Sequence, residues 1–312
     1  MHDTRLVVLV NPRSGGRCGQ NVWQQVKPVF DEAGVGFDTL VTEHVGHAAE
    51  IAAELDLTNY QGFCLVGGDG TIHEVIGGLM RRGTDVPTPL GLLPGGTGNS
   101  VHQHLACLNP LVAARNIVGG HVAPFDLLRV CLDNETTYCA NIVGWGAAVD
   151  INRTAEWLRP FGPSRYSVAA LWHILRAKRR PLRLILDGEV IEDEFLLVMG
   201  CNTKFTGKGM LIAPRAELGD GLIDVIIVRQ ASRRQMLQMF SKVFDGSHCR
   251  LPFVEYRQVR SFAIESARQD PLNLDGELKG RTPVSVDVVP GALRIFHGVG
   301  QASSQRRERF SG

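Results

Sequence analysis

The chain has 312 residues, 44% of them hydrophobic and 21% charged, with 33 basic against 32 acidic side chains and a formal net charge of +1. That length supports one large or two ordinary domains, and the composition excludes wholesale disorder. The balanced charge argues against a nucleic-acid partner held by bulk charge.

The first third alternates strand and helix patterns. Arg5 to Asn11 reads as a buried strand, and Asn21 to Ala33 carries helix spacing through Val22, Val26, Val29 and Phe30. Gly36 to Val41 is a second strand and His47 to Leu55 a second helix. Phe63 to Val66 is a third strand, Thr71 to Met80 a third helix, and Leu90 to Leu93 a fourth strand. Such alternation predicts a parallel sheet, whose ligands sit beyond the carboxyl ends of the strands.

Near Gly119-Gly120 the pattern changes to alternating runs. These are Phe125 to Cys131, Thr137 to Val143, Leu182 to Leu186, Phe195 to Met199, Ile223 to Val228, Gln258 to Ile264, Val284 to Val289 and Leu293 to His297. Turn signals at Asp133-Asn134, Asp187-Gly188, Asp220-Gly221 and Pro290-Gly291 separate most of them. The pattern predicts a mostly antiparallel, sandwich-like body, interrupted by helices at Ser167 to Arg179 and Ser232 to Phe244. The expected fold is therefore α/β, with a Rossmann-like domain over 1–121 followed by a β-rich domain over 122–297. The polar tail, about 298–312, is expected to fray or to pack back on the first domain.

The seven cysteines are odd in number and no pair has C-x-x-C spacing. Mostly buried thiols in a reducing compartment are expected, and no zinc site. The apolar run before Asn11 is short for a signal peptide, and no stretch approaches the ~20 apolar residues of a membrane span. The expected location is cytoplasmic, with any membrane contact peripheral.

Glycine is the compositional outlier, at 35 residues. Three clusters follow strands: Asn11-Pro-Arg-Ser-Gly-Gly16, Gly67-Gly-Asp-Gly-Thr71 and Leu93-Pro-Gly-Gly-Thr-Gly-Asn99. A fourth segment, Leu274-Asp-Gly-Glu277, lies far downstream. Glycines at strand ends let backbone N–H groups approach phosphate oxygens, and a following helix N-terminus adds a favourable dipole. Neither G-x-G-x-x-G nor G-x-x-x-x-G-K-[ST] is present. Asp69 in the middle of a glycine loop would repel phosphate unless it works through Mg²⁺ or takes a proton from an attacking hydroxyl. The plainer alternative, a turn capped by Asp69, needs one glycine rather than three and a matching loop.

Together these four segments resemble the diacylglycerol kinase and sphingosine kinase superfamily over roughly Arg5 to His297. The resemblance implies an α/β nucleotide domain, a β-rich lipid domain and an active site in the cleft between them. It implies ATP and Mg²⁺ as cofactors and a lipid substrate. Carried over by position, the ATP-binding residues are Asn11, Pro12, Arg13, Ser14 and Gly15, then Thr42, then Gly67, Gly68, Asp69, Gly70, Thr71, Ile72, His73 and Glu74. Gly96, Thr97 and Asn99 complete the third loop. Asp69, Glu277 and Asp275 are the catalytic candidates, with Asp69 and Glu277 both open as general base.

Gly144-Trp-Gly-Ala-Ala-Val-Asp150 and its continuation to Tyr166 resemble the sphingosine and ceramide kinase branch. There Arg159 and Arg165 would help hold the nucleotide phosphates, against the alternative of a solvated basic face. His73-Glu74 and Asn99-Ser100 also resemble that branch; bacterial diacylglycerol kinases usually carry an acid at position 100. Asp150 and Asn152 are the substrate candidates. Sphingosine kinases place an acid at position 152, so neutral Asn152 weakens the case for a free sphingoid base, and a hydroxyl- or amide-bearing lipid such as diacylglycerol or ceramide fits at least as well.

Ala216 to Leu222 resembles a segment that holds a structural Mg²⁺ in bacterial lipid kinases, which implies Asp220 with carbonyls of Glu217 and Leu222. A plain Asp-Gly turn is the equal alternative. Arg153 to Arg183 interleaves seven arginines and Lys178 with bulky apolar residues, which suits docking on anionic lipid; a core-facing helix with a solvated face is the equal alternative. His102 and His104 read as structural or solvent-exposed. The expected protein is an ATP-dependent lipid kinase acting on a primary hydroxyl, of diacylglycerol, ceramide or a sphingoid base. The rivals are a soluble-substrate kinase of the NAD kinase or phosphofructokinase type and a silent lipid-binding regulatory protein. Oligomeric state stays open, a homodimer included.

Overall fold

The computed structural model describes residues 5–83, 86–133, 135–157, 176, 178–207 and 209–298. The chain divides into two compact units. The first runs to Leu127 and includes Glu217–Asp220 and the chain from Pro290 on; the second holds Leu128–Ala216 and Gly221–Val289. The 122–127 segment, placed by sequence pattern with the β-rich half, thus groups with the first unit. Ser167 to Arg179, Arg159, Arg165 and the tail beyond Gly298 lie outside the described residues, Arg176, Lys178 and Arg179 excepted.

In the first unit, β1 (Arg5–Val10), β2 (Gly36–Val41), β3 (Gly62–Gly67) and β4 (Leu90–Pro94) form a parallel sheet in the order β2-β1-β3-β4. β1, β3 and β4 are almost wholly buried, which is why they read as unbroken apolar runs rather than alternating ones. The helices are α1 (Ser14–Arg17), α2 (Gly19–Glu32), α3 (His47–Glu54), α4 (Asp69–Arg81), α5 (Ser100–His104) and α6 (Pro110–Val118). α2 buries Trp23, Val26 and Phe30, and Trp23 meets Phe37 of β2 edge-on at 5.2 Å. α4 buries Ile72, Val75, Ile76 and Leu79 on one stripe. The chain steps from β1 outward to β2, then back across to β3. That reversal opens a crevice at the carboxyl ends of β1 and β3, where open α/β sheets take their ligands.

In the second unit, β7 (Ile142–Gly146), β10 (Leu197–Cys201), β11 (Ile223–Val228), β12 (Glu255–Val259), β14 (Pro271–Leu274) and β15 (Glu277–Arg281) form an antiparallel sheet, ordered β12-β11-β10-β7-β14-β15. Opposite it, β8 (Arg180–Leu186), β9 (Glu189–Phe195), β13 (Ser261–Glu265) and the start of β16 (Val284–Phe296) pair antiparallel. Trp145, Phe195, Val198, Phe262, Ile264 and Leu274 fill the space between the layers. On the outer face of the six-stranded sheet lie Met236 and Met239 of α8 (Arg233–Lys242). A Ser232–Gln235 capping box starts that helix. The remaining pieces are β5 (Val122–Cys131), β6 (Thr136–Cys139) and α7 (Ala147–Trp157).

Two expectations change. Pro290-Gly291 is not a chain reversal, because β16 continues through it. Pro290 has no N–H to offer a ladder, and the N–H of Gly291 instead donates to the buried Asp126 carboxylate at 2.7 Å. Thr137 to Val143 and Gln258 to Ile264 each split into two strands. All seven cysteines are free thiols. Among the described residues no helix is long and apolar enough to cross a membrane.

Phe262 is 2% exposed at the centre of the sandwich. Phe262→Ala is expected to cost about 3–5 kcal/mol, read as a lowered urea midpoint of the second unit's unfolding transition. A midpoint unchanged from wild type would contradict this packing.

Candidate active site

The three glycine loops leave β1, β3 and β4 side by side. Asn11, the first residue after β1, donates from Nδ2 to Thr71 Oγ1 at 2.9 Å. Its own Oδ1 accepts the Arg13 N–H at 3.0 Å, and its backbone carbonyl accepts the Ser14 hydroxyl at 2.9 Å. One side chain thus shapes the first loop and ties it to the second. The Gly95 N–H donates to the Gly67 carbonyl at 2.8 Å, so the second loop is tied to the third. A β-carbon on Gly96 would lie 2.3 Å from Gly68 Cα, and one on Gly15 2.3 Å from the Gly95 carbonyl oxygen. The loops touch backbone to backbone, which only glycine permits. Thr42, just past β2, is buried and donates its N–H to Val10.

Asp69 begins α4 and is half-buried. Its carboxylate accepts the Ser100 N–H at 2.8 Å and the Ser100 hydroxyl at 3.2 Å. Asn99, in left-handed conformation, clasps Gly96 through both ends of its amide. The acid in the glycine loop is therefore held by the start of α5. Gly70, Thr97 and Arg13 are exposed. Ile72 is fully buried in the core and its N–H serves the Gly68 carbonyl within α4, so its side chain offers a ligand nothing. Pro12, His73 and Glu74 are half-buried.

In the second unit, Leu274-Asp275-Gly276-Glu277 is a two-residue hairpin with positive φ at both central residues, 52° at Asp275 and 97° at Gly276. This is the type I′ geometry that Asp-Gly favours. The Asp275 carboxylate accepts three backbone N–H groups, from Ala140, Asn141 and Ile142, at 2.8–3.0 Å. It is a clamp on the β6–β7 connection. Glu277 is exposed, and takes no hydrogen bond or ion pair among the described residues. The two neighbouring acids of the sequence motif are thus in different environments. Asn152, on α7 and 5% exposed, donates from Nδ2 to the Gly276 carbonyl. Asp150 pairs with Arg180 at 2.7 Å.

Glu217 and Asp220 are half-buried on the short segment that groups with the first unit. Its Leu218 carbonyl accepts the Asp126 N–H at 2.7 Å. Leu222 belongs to the second unit. His102 is fully buried, and burial pushes its imidazole down to about 4, so it is neutral at pH 7. Sequence reasoning passed over the loop after Thr42. There His44 stacks on His47 at 4.7 Å, and Glu50 lies 3.7 Å from His44 Nε2. His47 Nδ1 accepts the Glu43 N–H at 3.0 Å. The three side chains offer ligand atoms within 4.8 Å of one another, close enough to hold a metal ion.

Two family models match the chain. The diacylglycerol kinase catalytic domain matches residues 5–130, and the YegS C-terminal NAD kinase beta sandwich-like domain matches residues 141–297. A diacylglycerol kinase of Mycobacterium tuberculosis is 30% identical over 94% of this chain and 94% of its own. Sphingosine kinase 1 of Arabidopsis thaliana is 25% identical over 89% of this chain and 69% of its own. The crystal structure of a diacylglycerol kinase from Bacillus anthracis str. Sterne superposes with a TM-score of 0.78, at 23% identity, covering 96% of this chain and 98% of that one. With both halves matched in order and a relative at 30% identity along almost its full length, the chain belongs to the diacylglycerol kinase and sphingosine kinase superfamily.

Proposed function

We propose that this protein transfers the γ-phosphoryl group of ATP to a primary hydroxyl of a long-chain lipid. The observation that carries the reading is the interlocked trio of glycine loops at the β1/β3 crevice, with Asp69 held at its edge by Ser100. Exposed backbone at Gly16 and Gly70 has open space where a β-carbon would be, which fits a phosphate cradle. The loop amides and the start of α4 bind the phosphates, and Arg13 supplies fixed positive charge, a part the family resemblance also gives to Arg159 and Arg165, which lie outside the described residues. Thr42, Thr97 and Glu74 complete the nucleotide's surroundings. Asp69 and Glu277 are the two candidates for the group that orients the hydroxyl and takes its proton.

Mg²⁺ would supply charge neutralisation on the transferring phosphoryl group, and hard carboxylate oxygens are the donors it prefers. Asp220 is the proposed carboxylate for a further, structural Mg²⁺, beside Glu217 and Leu222. Work at a lipid surface from the cytoplasmic side is part of the same reading, carried by the substrate class and the basic, aromatic stretch of sequence between Arg153 and Arg183.

The acceptor is more finely proposed from α7. A sphingoid base brings an ammonium that needs a free carboxylate. Asp150 is already neutralised by Arg180, and Asn152 is a neutral amide committed to Gly276. A neutral head group, as in diacylglycerol or ceramide, is therefore the favoured acceptor.

Asp69→Asn keeps an acceptor for the Ser100 N–H, so the loop is expected to hold its shape. Turnover with radiolabelled ATP is expected to fall at least ~10²-fold, the scale of losing an acid–base group. Near-normal turnover by the folded variant would overturn the role of Asp69. For the acceptor, kcat/KM for diacylglycerol or ceramide is expected to equal or exceed that for sphingosine. Arg180→Ala frees Asp150 and is expected to raise sphingosine's share several-fold, a scale of about 1 kcal/mol. A wild-type enzyme that strongly prefers sphingosine, with no response to Arg180→Ala, would remove the neutral-acceptor reading.

A further inference from the structure

The tetrapeptide Leu-Asp-Gly-Glu occurs twice in the second unit, at Leu186–Glu189 and at Leu274–Glu277. Both copies form the same hairpin. Asp187 and Gly188 have φ of 46° and 90°, and Leu186 pairs with Glu189 as Leu274 pairs with Glu277. Both aspartates accept N–H groups from a neighbouring segment: Asp187 from Arg260 and Ser261, Asp275 from Ala140, Asn141 and Ile142. The backbone and the aspartate clamp are therefore common property of the two turns.

The surroundings differ. Glu189 reaches Arg257 at 3.5 Å, while Glu277 has no such partner among the described residues. The Gly276 N–H donates to Asn273 Oδ1 at 2.9 Å. The Gly276 carbonyl receives the buried amide of Asn152 from α7, and α7 packs on β7, β14 and β15. The peptide groups on both sides of Gly276 are thus held by asparagine side chains. A carbonyl oxygen can only accept, so its partner must donate. Asparagine does so; an aspartate at 152 would set two acceptors against each other and lose this bond.

We propose that Asn152 is a positioning residue: by holding the Gly276 carbonyl it fixes the direction in which the turn presents Glu277. Asn152 then acts on the reaction through Glu277 and touches no substrate itself. The inference rests on the proposed part of Glu277 in phosphoryl transfer.

The test compares Asn152→Asp, Gly276→Ala and Glu277→Gln in the full chain, with Glu189→Gln as the twin-turn control. Gly276→Ala is a second route to the same turn that spares the core. A β-carbon there meets nothing within 4 Å, so it disturbs only the 97° φ. Asn152→Asp and Gly276→Ala are expected to lower kcat about 10- to 100-fold, the scale of misplacing a reacting group by about an ångström. KM for ATP is expected to stay within about twofold, because the loops of the first unit are untouched. Amide hydrogen exchange across residues 274–278 is expected to quicken in both. In the Glu277→Gln background neither is expected to cost anything more, as for groups that act as one. Glu189→Gln keeps full turnover.

Full turnover in both variants, or losses that multiply with that of Glu277→Gln, would overturn the inference. So would unchanged exchange in Asn152→Asp, whatever the activity does. Wild-type turnover by Glu277→Gln would instead strike at the role of Glu277, and the exchange measurement tells the two failures apart.

Discussion

Everything in the first unit follows from how closely three backbone loops must approach at the β1/β3 crevice. The Gly67 carbonyl takes the Gly95 N–H, and Gly96 sits against Gly68 with no room for a β-carbon. A loop approach of that kind gains no apolar burial of its own. It is stabilised from below by the nearly dry strands β1, β3 and β4, and from the side by the Asn11–Thr71 bond. The loops in turn fix where α4 and α5 begin, and so where Asp69 meets Ser100. A rigid, buried sheet is the cause, and a precise polar rim is its consequence.

The second unit solves its positioning problem with turn chemistry rather than close approach. Left-handed aspartates at 187 and 275 turn a hairpin and, with the same carboxylate, hold the N–H groups of an adjacent segment. A carboxylate that accepts three amide protons has little left to offer a substrate proton. Division of labour between neighbouring acids follows: Asp275 builds the corner and Glu277 projects from it. The same logic holds on α7, where Asp150 and Asn152 both face partners of this chain, an arginine and a peptide carbonyl.

Much of this was legible in the residues. The unbroken apolar runs of β1, β3 and β4 and the glycine clusters after them announce a parallel sheet with glycine loops at its carboxyl edge. Asp187-Gly188 announces its hairpin. What was not legible depends on partners distant in sequence. Asn109-Pro110 is a sound helix start, with Asn109 accepting the Leu111 N–H at 2.9 Å, yet α6 is short and its apolar face is revealed only by α2 and β4 packing on it. Pro290-Gly291 reads as a turn, but the buried Asp126 takes up the Gly291 N–H and the strand runs on. Ile72 stands inside a binding motif by position, and helix periodicity assigns it to the core instead. The acid pair Asp275 and Glu277 looks like one functional group in sequence; only the Ala140–Ile142 segment folded against Asp275 separates clamp from projecting carboxylate.

The duplicated Leu-Asp-Gly-Glu makes the general point in one molecule. Identical tetrapeptides fold identically, because an Asp-Gly pair with positive φ needs nothing beyond two flanking strands to close. Local chemistry therefore sets the shape of both turns and cannot distinguish them. The distinction comes from what packs on each: a guanidinium beside Glu189, and a buried helix amide on the peptide before Glu277. Pairing with Arg257 ties Glu189 into the strand surface. At Glu277 the peptide is held instead, which fixes where the side chain starts, and the carboxylate has no such partner among the described residues. A side chain that must accept a proton or orient a hydroxyl needs that combination, a rigid base and an open end, and this supports the part proposed for Glu277.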